Sequence, residues 1–135
     1  MQVTLRRIAD VALALAGLVL SVALAVASAV WETLATHAYL GGFRAPWAIL
    51  AAVLGNLFLV WFARLTVGRN WAILIPAIAW TLTMGAFAIG GRGGDVLLPN
   101  TWVGYVTFLG GLAAFAVPIF AMLGNPPRRP PAPRL

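Results

Sequence analysis

Four long apolar runs, broken only by short polar turns, restrict this chain's fold more than any motif in it. The first begins near Ile8 and continues to about Thr36, and the others cover about 46–65, 71–89 and 102–123. A helix needs about 20 mostly apolar residues to cross the hydrocarbon of a bilayer. Backbone groups in lipid must find their partners within the protein, which leaves helices for runs of this kind. The breaks carry the turn formers: Gly41-Gly42-Phe43-Arg44-Ala45-Pro46, then Thr66-Val67-Gly68-Arg69-Asn70, then a glycine-rich loop from Gly90 to Asn100. The expected fold is all-α, an integral membrane four-helix bundle over residues 1–124.

Composition agrees. Charged residues make up 9% of the chain, against roughly 25% in soluble domains. All nine basic residues are arginines, and the net charge is +6. They form no patch interleaved with aromatics on a polar domain, so no nucleic-acid partner is expected. In a chain this apolar, arginines mark membrane borders. With the N-terminus inside, Arg6, Arg7, Arg64, Arg69, Arg128, Arg129 and Arg134 fall on the inner face, and Arg44 and Arg92 on the outer. That bias predicts both termini in the cytoplasm of a multi-pass plasma-membrane protein. Trp31, Trp47, Trp71 and Trp102 lie near run ends, where aromatic belts form, while Trp61 and Trp80 lie deeper.

Residues 125–135 hold five prolines and three arginines. Such a segment builds no packed element and is expected to be a disordered basic tail lying along anionic head groups. At the other end, Arg6-Arg7, an apolar run and Ala27-Ser28-Ala29 have the outline of a cleaved signal peptide. The run is as long as a full span, however, so it is read as the first helix. Trp-Ala-Ile-Leu occurs at 47–50 and 71–74, too short a repeat to establish duplication.

Lipid gives helices no hydrophobic reason to associate, so small residues that permit close approach matter most. Gly17, Ser21, Ala25 and Ala29 form a four-residue stripe in the first run, and Ala77, Thr81 and Gly85 another in the third. Asn56, mid-run in the second, needs a hydrogen-bond partner and reads as helix–helix glue. These stripes fit packing within one subunit, a homo-oligomer, or a membrane-protein partner.

The outer-face residues Glu32, His37, Arg44, Arg92 and Asp95 form the candidate polar cluster. Asp10 and Glu32 are 22 residues apart, about 33 Å of helix. If Asp10 marks the inner border, where it pairs with Arg64 or Arg69 as an anchor, Glu32 reaches the outer rim, where Arg44 or Arg92 is its expected partner. Catalysis is not expected. His37 and Glu32 diverge by about 140° around one helix, and no serine lies near His37. One histidine and three widely spaced acids make no metal site. With no cysteine there is no disulfide or thiolate chemistry, and no cofactor is expected. The glycine loop has no lysine for a phosphate-binding motif, and Val96 stands where a dinucleotide motif needs glycine. It reads as a turn, with Val96-Leu97-Leu98 resting on the membrane surface.

The stretch Gly94-Asp95-Val96-Leu97-Leu98-Pro99-Asn100-Thr101-Trp102-Val103-Gly104-Tyr105, within a four-span layout with arginines at Arg64 and Arg69, resembles a family of small actinobacterial integral membrane proteins of unknown function. The resemblance implies the four-helix membrane fold and a bacterial cytoplasmic membrane, and brings no activity. A looser similarity joins the layout to small multidrug-resistance transporters, which carry a glutamate inside the first span. The expected function is therefore that of a non-catalytic structural or accessory membrane protein. The alternative is a small proton-coupled transporter or channel using Glu32.

Overall fold

Alanine and leucine dominate the apolar runs, and both favour helix. The computed structural model describes residues 2–44, 46–90 and 97–124. Its helices are α1 (Gln2–Ala35), α2 (Trp47–Val67), α3 (Leu74–Ile89) and α4 (Trp102–Gly124), with a 3-10 turn, Asn70–Ile73, leading into α3. These give four segments long and apolar enough to cross a membrane. Pro46 stands at the N-cap of α2, and Pro76 falls in the first turn of α3, where a missing N–H costs nothing. The proline-rich segment 125–135 and the central glycines of the third loop lie outside the described residues.

α1 packs against both α2 and α3, and α2 against α4, so the order around the bundle is α1, α2, α4, α3. Small residues set the two closest seams. Ser21, Ala25 and Ala29 of α1 are fully buried, as are Ala48, Ala52, Asn56 and Ala63 on one face of α2. A Cβ added to Gly17 would stand 2.6 Å from Thr66 Cβ, so the Thr66 side chain rests directly on the bare backbone of α1. Gly17→Leu is expected to force α1 and α2 apart and cost about 1–3 kcal/mol, read as a lowered unfolding midpoint in detergent.

The stripe Ala77, Thr81 and Gly85 is only partly used, a correction to the sequence reading. Ala77 is buried, but Thr81 lines an outer groove with Leu82, Leu112 and Ile119, and a Cβ on Gly85 would meet nothing within 4 Å. α3 instead buries Pro76, Trp80 and Met84, following Ile73 of the 3-10 turn. A tryptophan on that face holds the α3 and α4 backbones apart, and aromatic rings fill the gap. Trp80 stacks on Phe108 (centroids 6.1 Å, 14°) and tilts against Phe115 (5.9 Å, 57°).

Two further features frame the site. Between α1 and α2 the chain forms a hairpin, β1 (Tyr39–Leu40) paired antiparallel with β2 (Phe43–Arg44). Its two-residue turn uses Gly41 and Gly42 at φ +57° and +87°, the positive angles a tight hairpin requires. At the other end α1 outruns its neighbours. Gly17 stands level with Thr66 near the end of α2, so residues 4–16 project about 20 Å past that contact. Leu5, Ile8, Val11, Leu13 and Leu15 are each more than half exposed there. Asp10 lies on this exposed overhang, and Arg64 donates to Asn70 Oδ1 at 3.1 Å.

Candidate functional site

Ser28 and Glu32 are one helical turn apart on α1, so their side chains share a face, and that face turns inward. Ser28 Oγ donates to Glu32 Oε1 at 2.5 Å, and Trp80 Nε1 of α3 donates to Glu32 Oε2 at 2.9 Å. The glutamate is 1% exposed. Its Oε1 lies 3.5 Å from where a Cβ on Gly55 of α2 would stand. Gly55 is eight residues into α2, about 12 Å below that helix's start. The carboxylate therefore sits at the middle height of α3 and well inside the bundle.

This corrects the length argument. The ruler from Asp10 to Glu32 was sound, but its zero was misplaced. Asp10 stands on the overhang, seven residues or about 10 Å beyond the Gly17–Thr66 contact. In addition, a helical side chain leans toward its own N-terminus, which carries the carboxylate inward by another part of a turn. The expected Glu32–Arg44 pair does not form. Arg44 Nη1 donates instead to Thr101 Oγ1 at 3.1 Å, and its guanidinium lies 5.2 Å from the centroid of the Tyr39 ring. Arg44 thus ties the hairpin to the start of α4. Arg92 and Asp95 lie outside the described residues.

Trp80 joins three helices. One edge of its indole donates to Glu32 on α1, and the benzene edge rests on Gly111 of α4. A Cβ on Gly111 would stand 2.2 Å from Trp80 Cη2 and 2.9 Å from Asn56 Nδ2. The Gly111 carbonyl accepts from Asn56 Nδ2 at 3.3 Å, linking α2 to α4. Ser28, Glu32, Asn56, Trp80 and Gly111 thus form one polar core to which every helix contributes. Within it Asn56 Oδ1 and, a turn above Gly111, Thr107 Oγ1 are buried without a hydrogen-bond partner among the described residues.

Above the carboxylate, α1 carries a second set of bonds. Thr33 Oγ1 donates to the Ala29 carbonyl at 2.8 Å and lies 3.3 Å from Met84 Sδ. Thr36 Oγ1 donates to the Thr33 carbonyl at 2.6 Å, and the exposed His37 donates to the same carbonyl through Nδ1 at 3.1 Å. His37 therefore closes the end of the helix and does not join Glu32. In the third loop, Leu98 turns into the core instead of resting outside, its N–H bonded to the Phe87 carbonyl at 3.1 Å.

Chemically the site is a buried carboxylate with both oxygens engaged, one by Ser28 and one by the Trp80 indole, beside the bare backbone of Gly55. It can lock α1 to α3 or exchange a proton, and among the described residues no three His, Asp or Glu side chains come together. Sequence reasoning missed Trp80 as its centre. The available signal was the indole N–H itself, a donor that needs a partner when buried in an apolar span. Compared with known protein families, curated proteins and solved structures, the chain matches none.

Proposed function

We propose that this is a non-catalytic multi-pass membrane protein, a structural or accessory subunit that works through helix–helix contacts. The observation supporting this reading is the internal use of its polar core. Both oxygens of Glu32 are engaged by Ser28 and Trp80, so the acid acts as a bolt between α1 and α3. The overhang of α1 offers contact surface, since its uncovered leucines, isoleucine and valine exceed what a helix end in water usually exposes. The arginine bias supports an orientation with both ends inside, and the family resemblance supports the bacterial cytoplasmic membrane.

The chain has no cysteine, so a single Leu13→Cys variant gives a clean cross-linking probe on the overhang. Cross-linking in native membranes is expected to give one adduct of defined mass, with a second copy or one partner. Glu32→Gln should retain that adduct, because glutamine keeps an oxygen for Trp80, and Gly17→Leu should lose it. A chain that stays uncross-linked in native membranes would overturn the reading.

A specific observation favours the second reading, proton-coupled transport through Glu32: the carboxylate is at mid-height among the helices, not at their rim. Ionisable groups at that depth in membrane proteins commonly lie on ion or proton pathways. Reconstituted vesicles then show cation-linked proton flux that Glu32→Gln abolishes. Absence of flux for wild-type protein across a panel of organic and inorganic cations removes this reading and leaves the first.

A further inference from the structure

Near the Arg64 end of the bundle, the seam between α2 and α4 opens into a groove of about 410 Å³ lined by Leu57, Val60, Trp61, Arg64, Leu65 and Pro118. Three- and four-residue spacing puts the α2 members on one face. Five of the six side chains are apolar, and the sixth is a guanidinium in the last turn of α2. Asn70 Oδ1 holds Arg64 through Nη2, which uses one of the five N–H donors of the group and fixes its position. Trp61, 57% exposed, stands beside it, the pairing of ring and cation found where head groups meet acyl chains. Pro118 forms the opposite wall within α4. Having no N–H, it leaves the Ala114 carbonyl without its usual helical donor.

We propose that this groove is a binding site for one anionic phospholipid from the leaflet at the Arg64 end. The phosphate accepts from the Arg64 guanidinium, whose fork suits phosphate oxygens. The acyl chain lies along Leu57, Val60 and Trp61 against Pro118, over about 10 Å of helix. Charge complementarity selects the head group. Arg64 lies in the groove and Arg69 just past the end of α2, while Arg6, Arg7 and the acid Asp10 lie farther out on the overhang, so a net negative lipid is favoured over a zwitterionic one.

Native mass spectrometry of detergent-released protein, incubated with phosphatidylglycerol or phosphatidylcholine, tests the site. Wild type is expected to retain one phosphatidylglycerol per chain and to bind phosphatidylcholine about tenfold more weakly. Arg64→Gln should remove that preference, while Arg69→Gln, at an exposed arginine outside the groove, should keep it. Leu57→Trp fills the groove with Arg64 in place and should lower the affinity for both lipids. Lipid-free melting curves report whether each variant still folds. Equal retention of the two lipids overturns the proposal. So does equal loss in Arg64→Gln and Arg69→Gln, which would indicate bulk surface charge, or a lipid-free dimer that closes the groove with a second copy.

Discussion

Trp80→Ala is expected to cost about 3–5 kcal/mol of unfolding free energy, the range for emptying a large buried aromatic site. Trp80 is the largest fully buried side chain among the described residues. Lipid tails are as apolar as the core, so little of the loss comes from transfer. It comes from the cavity between α3 and α4, where Phe108 and Phe115 lose the ring they pack on. Glu32 Oε2 loses its donor in the same step. Trp80→Phe divides the two effects in part, because it keeps a six-membered ring in the seam while it removes the Nε1–H and leaves a smaller void than alanine does. An unsatisfied buried acceptor costs about 1–3 kcal/mol, so this variant should fall between wild type and Trp80→Ala. Circular dichroism during denaturation in mixed detergent micelles reads both. If Trp80→Phe is as stable as wild type, the indole–carboxylate bond contributes nothing to the fold.

The layers legible in the sequence were those set by long-range averages. Four apolar runs and their glycine and proline breaks predict four helices because lipid leaves the backbone no other arrangement. The stripe from Gly17 to Ala29 was legible for a similar reason: repetition at one spacing survives ignorance of the partner. Of the α2 stripe only Asn56 was legible; Ala48, Ala52 and Ala63 were not, because in an alanine-rich chain such spacing recurs by composition. Register was the hidden quantity. Whether Glu32 lies at a rim or at mid-height depends on which residue of α1 meets the end of α2. One contact, Gly17 against Thr66, settles that and overturns an estimate based on length alone. The partners of Glu32 were hidden for the same reason, since Trp80 is 48 residues away and on another helix.

Gly110 and Gly111 are neighbours in sequence, yet their replacement by alanine is expected to differ sharply. Alanine in a helix interior gains about 1 kcal/mol over glycine through backbone entropy alone. At Gly110 the new Cβ meets only Val53 Cγ2, at 3.4 Å, and a small shift of that methyl leaves much of the gain. Gly85→Ala meets nothing and should stabilise outright. At Gly111 the Cβ would stand 2.2 and 2.4 Å from two ring atoms of Trp80 and 2.9 Å from Asn56 Nδ2. The ring cannot swing aside freely, because Phe108 and Phe115 hold its position and Glu32 holds its N–H. Overpacking costs about 1–3 kcal/mol and occasionally more, and here it also strains two interhelical hydrogen bonds. The net sign is therefore destabilising at Gly111 and near neutral or favourable at Gly110 and Gly85, measured as unfolding midpoints of the three variants side by side. A Gly111→Ala protein as stable as wild type would mean that the indole does not rest on α4. The Trp80–Glu32 hydrogen bond, which depends on where that ring sits, would then fail with it.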